Sequence, residues 1–392
     1  MPSEPRLPLS IPHLAGNEWA YVKECLDTGW VSSVGSFVTR FEQATAAYTG
    51  IAHAVAVING TAALHTALLV AGVRPGDEVI VPALTFVATV NAVRYCGAEP
   101  VFMDADPGTW QMDVAKLRRF LATRCEVRDG ACVNRTTGRR VRAVMPVHLL
   151  GLACEIDTIV TLAREHGLLV VEDATEGMGV RYRGRHVGTF GDVGAISFNG
   201  NKIITTGGGG MLVTADAERA RHARYLTTQA KDDELEYFHN EIGYNYRLTN
   251  VLSALGLAQL EQLDGFVAER RAVAARYTAA FSGRADVTPM PLPEHVEPTY
   301  WLYTMLLKPG TSLDSRRAVI RALHARGIEA RPLWYPVPML PPYRDAEAFE
   351  VEHALDLHAR AVSLPSSAGL SMEDVDRCVA AVDEAVAGGG AC

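Results

Sequence analysis

The chain has 392 residues, 48% hydrophobic and 21% charged, with a formal net charge of -8. This is the composition of a soluble globular protein, long enough for two domains and for a core held without disulfides or metal. Both charge signs are interspersed, which argues against nucleic acid as a partner, and no apolar run approaches the roughly 18–20 residues of a membrane span.

Residues 1–12 are rich in proline and lack a basic-then-apolar leader pattern, so a cytoplasmic protein is expected. From about residue 50 to 215, short apolar runs alternate with helical patterns. Strands are expected at 54–58, 78–81, 100–103, 143–147, 168–172, 195–198 and 211–213. Helices are expected at 61–71, 85–95 and 156–166. Such alternation predicts a largely parallel sheet covered by helices, with ligands at the carboxyl ends of its strands. Residues 125–142 break the rhythm and read as an inserted hairpin that turns at Asn134-Arg135-Thr136-Thr137-Gly138. After residue 248 long helices are expected at 249–263 and 267–281. A linker at 282–297, a strand at 300–307 and helices at 315–326 and 372–386 complete a smaller α+β domain spanning 249–392. The Ala387-Gly388-Gly389-Gly390 run reads as a frayed tail.

The seven cysteines, Cys25, Cys96, Cys125, Cys132, Cys154, Cys378 and Cys392, include no CxxC pair and read as reduced thiols. The alternative is a Cys125–Cys132 disulfide closing the hairpin. No metal site is expected.

Three segments carry the chemistry. In Ser197-Phe198-Asn199-Gly200-Asn201-Lys202, followed after Thr206 by four glycines, a strand delivers Ser197 and breaks into a polar turn bearing Lys202. The glycines permit close approach of a ligand or another strand; the plainer reading is an exposed loop lysine. In Val170-Val171-Glu172-Asp173-Ala174-Thr175-Glu176 an apolar strand ends in carboxylates, and Asp173 sits where a ligand would meet it, unless it merely caps a following helix. A buried carboxylate there needs a cationic partner. In Asn59-Gly60-Thr61-Ala62 a strand end runs into a helix N-terminus, which is an anion site or an ordinary cap. Pyridoxal 5'-phosphate (PLP) needs a lysine, a carboxylate for its pyridine nitrogen, a phosphate cradle and a flat apolar face. Lys202, Asp173 and the Gly60–Ala62 turn fit the first three. Phe86 fits the fourth, or is a core aromatic.

Across nearly its whole length the chain resembles the PLP-dependent sugar aminotransferases of the DegT/DnrJ/EryC1/StrS family, of the aspartate-aminotransferase fold (PLP fold type I). The motifs are Gly29-Trp30-Val31-Ser32 with Phe41-Glu42, Gly60-Thr61-Ala62-Ala63-Leu64, Thr85-Phe86-Val87-Ala88-Thr89, Pro146-Val147-His148-Leu149, Glu172-Asp173-Ala174, Ser197-Phe198 with Lys202, and Gly243-Tyr244-Asn245-Tyr246-Arg247. The hairpin and the wording of Asn199–Gly210 look closest to the legionaminic-acid-type branch, whose members aminate C4 of a nucleotide-linked 4-keto-6-deoxy-2-acetamido sugar.

The resemblance implies a large PLP-binding domain over residues 1–248, with Lys202 as the Schiff-base lysine and Asp173 on the pyridine nitrogen. It places Glu176 near the ring hydroxyl, where many relatives carry Gln. Gly60, Thr61, Ala62 and Ser197 would contact the phosphate and Phe86 would stack on the ring. Asn245 would reach the phosphate of a neighbouring subunit, which implies a homodimer with shared sites. L-glutamate is the implied amino donor and a nucleotide sugar the acceptor. Beyond the resemblance, Trp30, Ser32, Arg331 and Tyr335 are candidate substrate contacts, with core or interface packing as the alternative for Trp30. The chain departs from the family pattern at Gly208 (often Glu), Leu150 (often Tyr) and Pro338 (often His). Two alternatives stay open: amination at C3, and a PLP-binding regulatory protein without turnover.

Overall fold

The computed structural model describes residues 5–233 and 235–389. At its centre is an eight-stranded sheet in the order His53–Val57, Gly210–Thr214, Val193–Ser197, Leu169–Asp173, Val141–Val144, Glu78–Pro82, Glu99–Met103, Ala348–Phe349. Every strand runs the same way except Gly210–Thr214, which is antiparallel to both neighbours. The reason lies in the sequence. Glu78–Pro82, Val193–Ser197 and Gly210–Thr214 are buried at every position, as strands covered on both faces must be, and read as continuous rather than alternating apolar runs. The helix Gly60–Val70 is buried nearly all round, and its alanines let it lie close against the sheet.

Several elements escaped the sequence reading. The helices Glu18–Thr28, Ser36–Thr49, Val114–Arg124 and Ala217–Thr227 were not expected. The hairpin pairs Cys125–Arg128 with Ala131–Asn134 about an Asp129-Gly130 turn, both residues at positive φ, and not about Asn134–Gly138. The latter segment is a second turn, closed by Gly138 N–H donating to the Asn134 carbonyl at 2.8 Å, that leads into Val141–Val144. Cys125 and Cys132 stand as buried free thiols, hydrogen-bonded to each other rather than joined in the alternative disulfide. The final helix runs Met372–Gly389 where a frayed tail was expected; Gly390 lies outside the described residues.

The C-terminal part carries a three-stranded antiparallel sheet of Val287–Thr288, Tyr303–Leu307 and Ala361–Leu364. The helices Leu263–Phe281, Leu313–Ala325 and Met372–Gly389 pack beside it. Chain segments cross the expected boundary at residue 248 in both directions. Ala348–Phe349 pairs with Phe102–Met103 at the edge of the central sheet. Buried Asp104, just past that strand, accepts from Lys116 Nζ at 2.6 Å and from the N–H groups of Glu352, His353 and Ala354 at 3.0, 2.9 and 2.8 Å. It thereby caps the helix His353–Arg360 from outside. In the other direction Leu7 bridges to Ile328.

Candidate active site

The carboxyl ends of the parallel strands converge on one cavity of about 540 Å³. Asp173 ends one strand and Ser197 the next, while Asn59 and Phe86 follow shortly after two others. The cavity is lined by Gly60, Thr61, Phe86, Asp173, Glu176, Ser197, Lys202 and Arg331 among the expected residues.

Asp173 is buried and does not cap a helix, because turns and not a helix follow its strand. Its Oδ1 accepts from the Thr175 N–H at 3.0 Å and its Oδ2 from the Thr89 hydroxyl at 2.7 Å. Thr89 in turn lies 3.0 Å from the Thr85 hydroxyl. Both carboxylate oxygens are thus fixed in direction while keeping acceptor capacity.

Lys202 sits in a tight turn, its N–H bonded to the Asn199 carbonyl at 3.0 Å, and its side chain is mostly buried rather than solvated. Nζ lies 3.9 Å from Glu176 Oε1 and 3.9 Å from the ring centre of Trp301. Burial lowers the Lys202 amine below the ordinary lysine range, although Glu176 and Asp173 pull the other way. Burial also pushes Glu176 up to about 7 against the pull of Lys202 and of the Leu150 N–H, which donates to Glu176 Oε2 at 2.7 Å. That donor comes from an unusual backbone position, Leu150 at φ 61°.

The helix Gly60–Val70 is capped by Asn59, whose Oδ1 takes the Ala62 N–H at 2.7 Å while its carbonyl takes Ala63 N–H at 3.1 Å. Ala62 therefore does not offer its N–H to the cavity and does not line it; Gly60 and Thr61 do. Position 60 requires glycine: a Cβ there would fall 2.8 Å from Ser197 Cβ. Of the four following glycines, Gly210 is needed because a Cβ would lie 2.6 Å from the Asn59 carbonyl oxygen, so the close approach is to another strand's end.

Phe86 is half exposed at the cavity, 6.4 Å from Trp334 centre to centre, and is not a core aromatic. Arg331 lines the cavity with its guanidinium on Glu329 at 2.7 Å. Tyr335 stands beyond the lining, tilted 40° against His358. Trp30 and Ser32 lie elsewhere. Trp30 lines a separate cleft, and the carbonyls of both residues are held by Asn250, through Nδ2 at 2.7 Å and N–H at 2.6 Å. Asn245 is exposed and outside the cavity.

Glu42 and His148, each within one of the motifs, brace the fold behind the site. Glu42 accepts from the Ala56 N–H at 2.8 Å and from Arg224 and Arg247 at 3.0 and 2.5 Å, tying the 245–247 segment to the sheet edge. His148 Nδ1 accepts from Cys154 N–H at 3.2 Å, so its Nε2 donates to Glu172 at 3.0 Å. Sequence reasoning missed Trp301 and the N-terminal residues Leu9 and Ser10, all of which line the cavity. Nothing in their local spacing marks them, since they arrive from distant segments.

A mostly parallel sheet with a buried lysine and two carboxylates meeting beyond its strand ends defines an aminotransferase of PLP fold type I. The chain belongs to the DegT/DnrJ/EryC1/StrS aminotransferase family, whose model matches residues 12–383. Members of this family depend on PLP. The chain is 44% identical to a GDP-perosamine synthase of Caulobacter vibrioides, covering 97% of this chain and 98% of that protein. It is 40% identical to another from Escherichia coli O157:H7, covering 94% and 95%. A solved DegT DnrJ EryC1 StrS aminotransferase from Brucella abortus superposes with a TM-score of 0.85 at 30% identity, covering 94% and 95%. These relatives do not single out the legionaminic-acid-type branch. Among the described residues no helix is long and apolar enough to cross a membrane.

Proposed function

We propose that this enzyme transfers an amino group from L-glutamate to C4 of a GDP-linked 4-keto-6-deoxy sugar. The observation that carries the transamination is the convergence of Lys202, Asp173 and Glu176 in one cavity at the strand ends. The guanosine nucleotide and the C4 position rest on the relatives of 44% and 40% identity. The expected 2-acetamido group has no support of its own.

The residues present fit PLP. Asp173, fixed by Thr89 and Thr175, retains acceptor capacity for a protonated ring nitrogen. Gly60, Thr61 and Ser197 form a cradle for a phosphate at a helix N-terminus, kept open by the missing side chain at position 60. Phe86 offers an aromatic face at the cavity wall. When bound, the cofactor supplies an aldehyde that condenses with amines and a cationic ring that accepts electrons from a carbon losing its proton.

Lys202 would hold the cofactor through Nζ. As a free amine Nζ would move a proton to and from the reacting carbon, and burial favours the neutral form that this role needs. Asp173 would pair with the protonated pyridine nitrogen. Glu176 stands beside Nζ as a group that gains or loses a proton close to neutral pH. Asn245, exposed on its own chain, is assigned to a neighbouring subunit's phosphate in a homodimer.

The test is a transamination screen with glutamate against GDP-, dTDP-, UDP- and CDP-linked keto sugars, with the product carbon assigned by NMR. A GDP-linked 4-amino product is expected. Turnover only with another nucleotide would overturn the nucleotide assignment. A 3-amino product would overturn the carbon, and no turnover with any ketone would favour the regulatory alternative.

A further inference from the structure

We infer that Trp301 is a positioning residue for Lys202, holding it at both ends of its side chain; this rests on the reading of Lys202 as the lysine that carries the cofactor. At the backbone end, Trp301 Nε1 donates to the carbonyl of Asn201 at 2.6 Å, and Ser10 Oγ donates to the same carbonyl at 3.0 Å. Asn201 is the residue immediately before Lys202, so two donors from distant segments fix the peptide from which the lysine springs. At the other end, the indole face lies 3.9 Å from Nζ. Among the described residues Nζ makes no hydrogen bond, and the charges facing it are Glu176 and Asp173, with Glu329 and Arg331 farther along the same cavity. The aromatic face is therefore as near to a free ammonium as the Glu176 carboxylate, at 3.9 Å in each case.

Trp301 is itself anchored. It is buried, and its carbonyl accepts from Arg270 Nη1 at 2.9 Å and from Ser366 Oγ at 3.2 Å. Arg270, also buried, donates to the Ser366 carbonyl at 2.6 Å and reaches Ser10 Oγ at 3.5 Å. The N-terminal segment, the 199–202 turn and the 299–303 segment thus meet in one clamp. A lysine stem has four rotatable carbons, and fixing its root and its tip removes most of that freedom before chemistry begins.

The consequence is a separation of effects. Trp301→Phe keeps a ring face but loses the N–H; Trp301→Leu loses both; Ser10→Ala removes only the second donor to Asn201. The titration of the Lys202 amine is read in the full-length chain freed of cofactor, from the pH dependence of its acylation by acetic anhydride followed by peptide mass spectrometry. An aromatic face favours the ammonium, so Trp301→Leu lowers that midpoint by roughly half to one pH unit, while Trp301→Phe leaves it in place. In the cofactor-loaded enzyme, Trp301→Phe and Ser10→Ala lower kcat by about tenfold with KM for the sugar unchanged. An unmoved midpoint in Trp301→Leu, or unchanged kcat in both other variants, overturns the proposal. Should Trp301→Leu fail to fold, the kcat-against-KM split in the other two variants decides. Borohydride reduction of the wild-type enzyme loaded with PLP separates the premises. No label on Lys202 defeats the reading of that lysine, whereas a label on Lys202 with an unmoved midpoint defeats only the role of Trp301.

Discussion

The hydroxyl of Thr89 donates to Oδ2 of Asp173 across 2.7 Å, joining the first helix turn after one strand to the last residue of another. This bond aims the carboxylate that the mechanism places on the pyridine nitrogen. Asp173→Asn is expected to fold, shown by an unchanged circular dichroism spectrum, and to lose about 100- to 1,000-fold in kcat. Thr89→Val should lose less, about tenfold, because the carboxylate survives and only its orientation loosens. Wild-type kinetics in the asparagine variant would remove Asp173 from the reaction.

Removal of the lysine is the sharpest test of the site. Lys202→Ala should reduce transamination by about a thousandfold or more and abolish the visible absorbance of lysine-bound cofactor. A variant that turns over normally would refute the covalent assignment.

Glu176 gives the enzyme a predictable pH signature. Its folded value is raised to about 7 from an ordinary 4.5, so between those limits the folded chain holds a proton that the unfolded chain has released. Stability from this group is therefore fully present below about 4.5 and is lost as pH rises through 7. Glu176→Gln removes the titration. Its stability relative to wild type should climb from pH 4.5 to 8 by on the order of 3 kcal/mol, measured by urea unfolding at each pH. Parallel stability curves for the two proteins would contradict the buried, proton-holding state of this acid.

Gly60 sets the floor of the phosphate cradle. A methyl group there would fall 2.8 Å from Ser197 Cβ and 3.3 Å from Thr175 Cγ2, so the helix start or Ser197 must shift. Gly60→Ala is expected to cost about 1–3 kcal/mol of stability. It should also weaken cofactor binding by about tenfold in a fluorescence titration, an effect that unaltered affinity would rule out.

The parts of this fold that repeat a local rule were readable in the chain. Val79, Ile80 and Val81 form a run buried on both faces, and Asn59-Gly60 joins a strand to a capped helix; both follow from neighbours in sequence. The positions of Asp173 and Ser197 at the candidate site were readable for the same reason, since each ends a strand. What stayed hidden depends on contacts between distant segments. The helices Glu18–Thr28 and Ser36–Thr49 earn their burial by packing on Asn250–Leu260, more than 200 residues away. Trp301 reaches Lys202 only because Gly151, at φ 81°, lets the 299–301 backbone lie against it; a Cβ there would stand 2.5 Å from the Trp301 nitrogen. The bond from the Ala62 N–H to Asn59 was not legible either, being a detail of rotamer rather than of motif.

The strand Ala348–Phe349 seals the central sheet from the far end of the chain, and Asp104 locks it there by capping the helix that follows. During synthesis, then, Glu99–Met103 leaves the ribosome long before its outer neighbour exists. Until that neighbour emerges, the nascent polypeptide displays an unpaired, apolar β-edge, the kind of surface on which chains stick to one another.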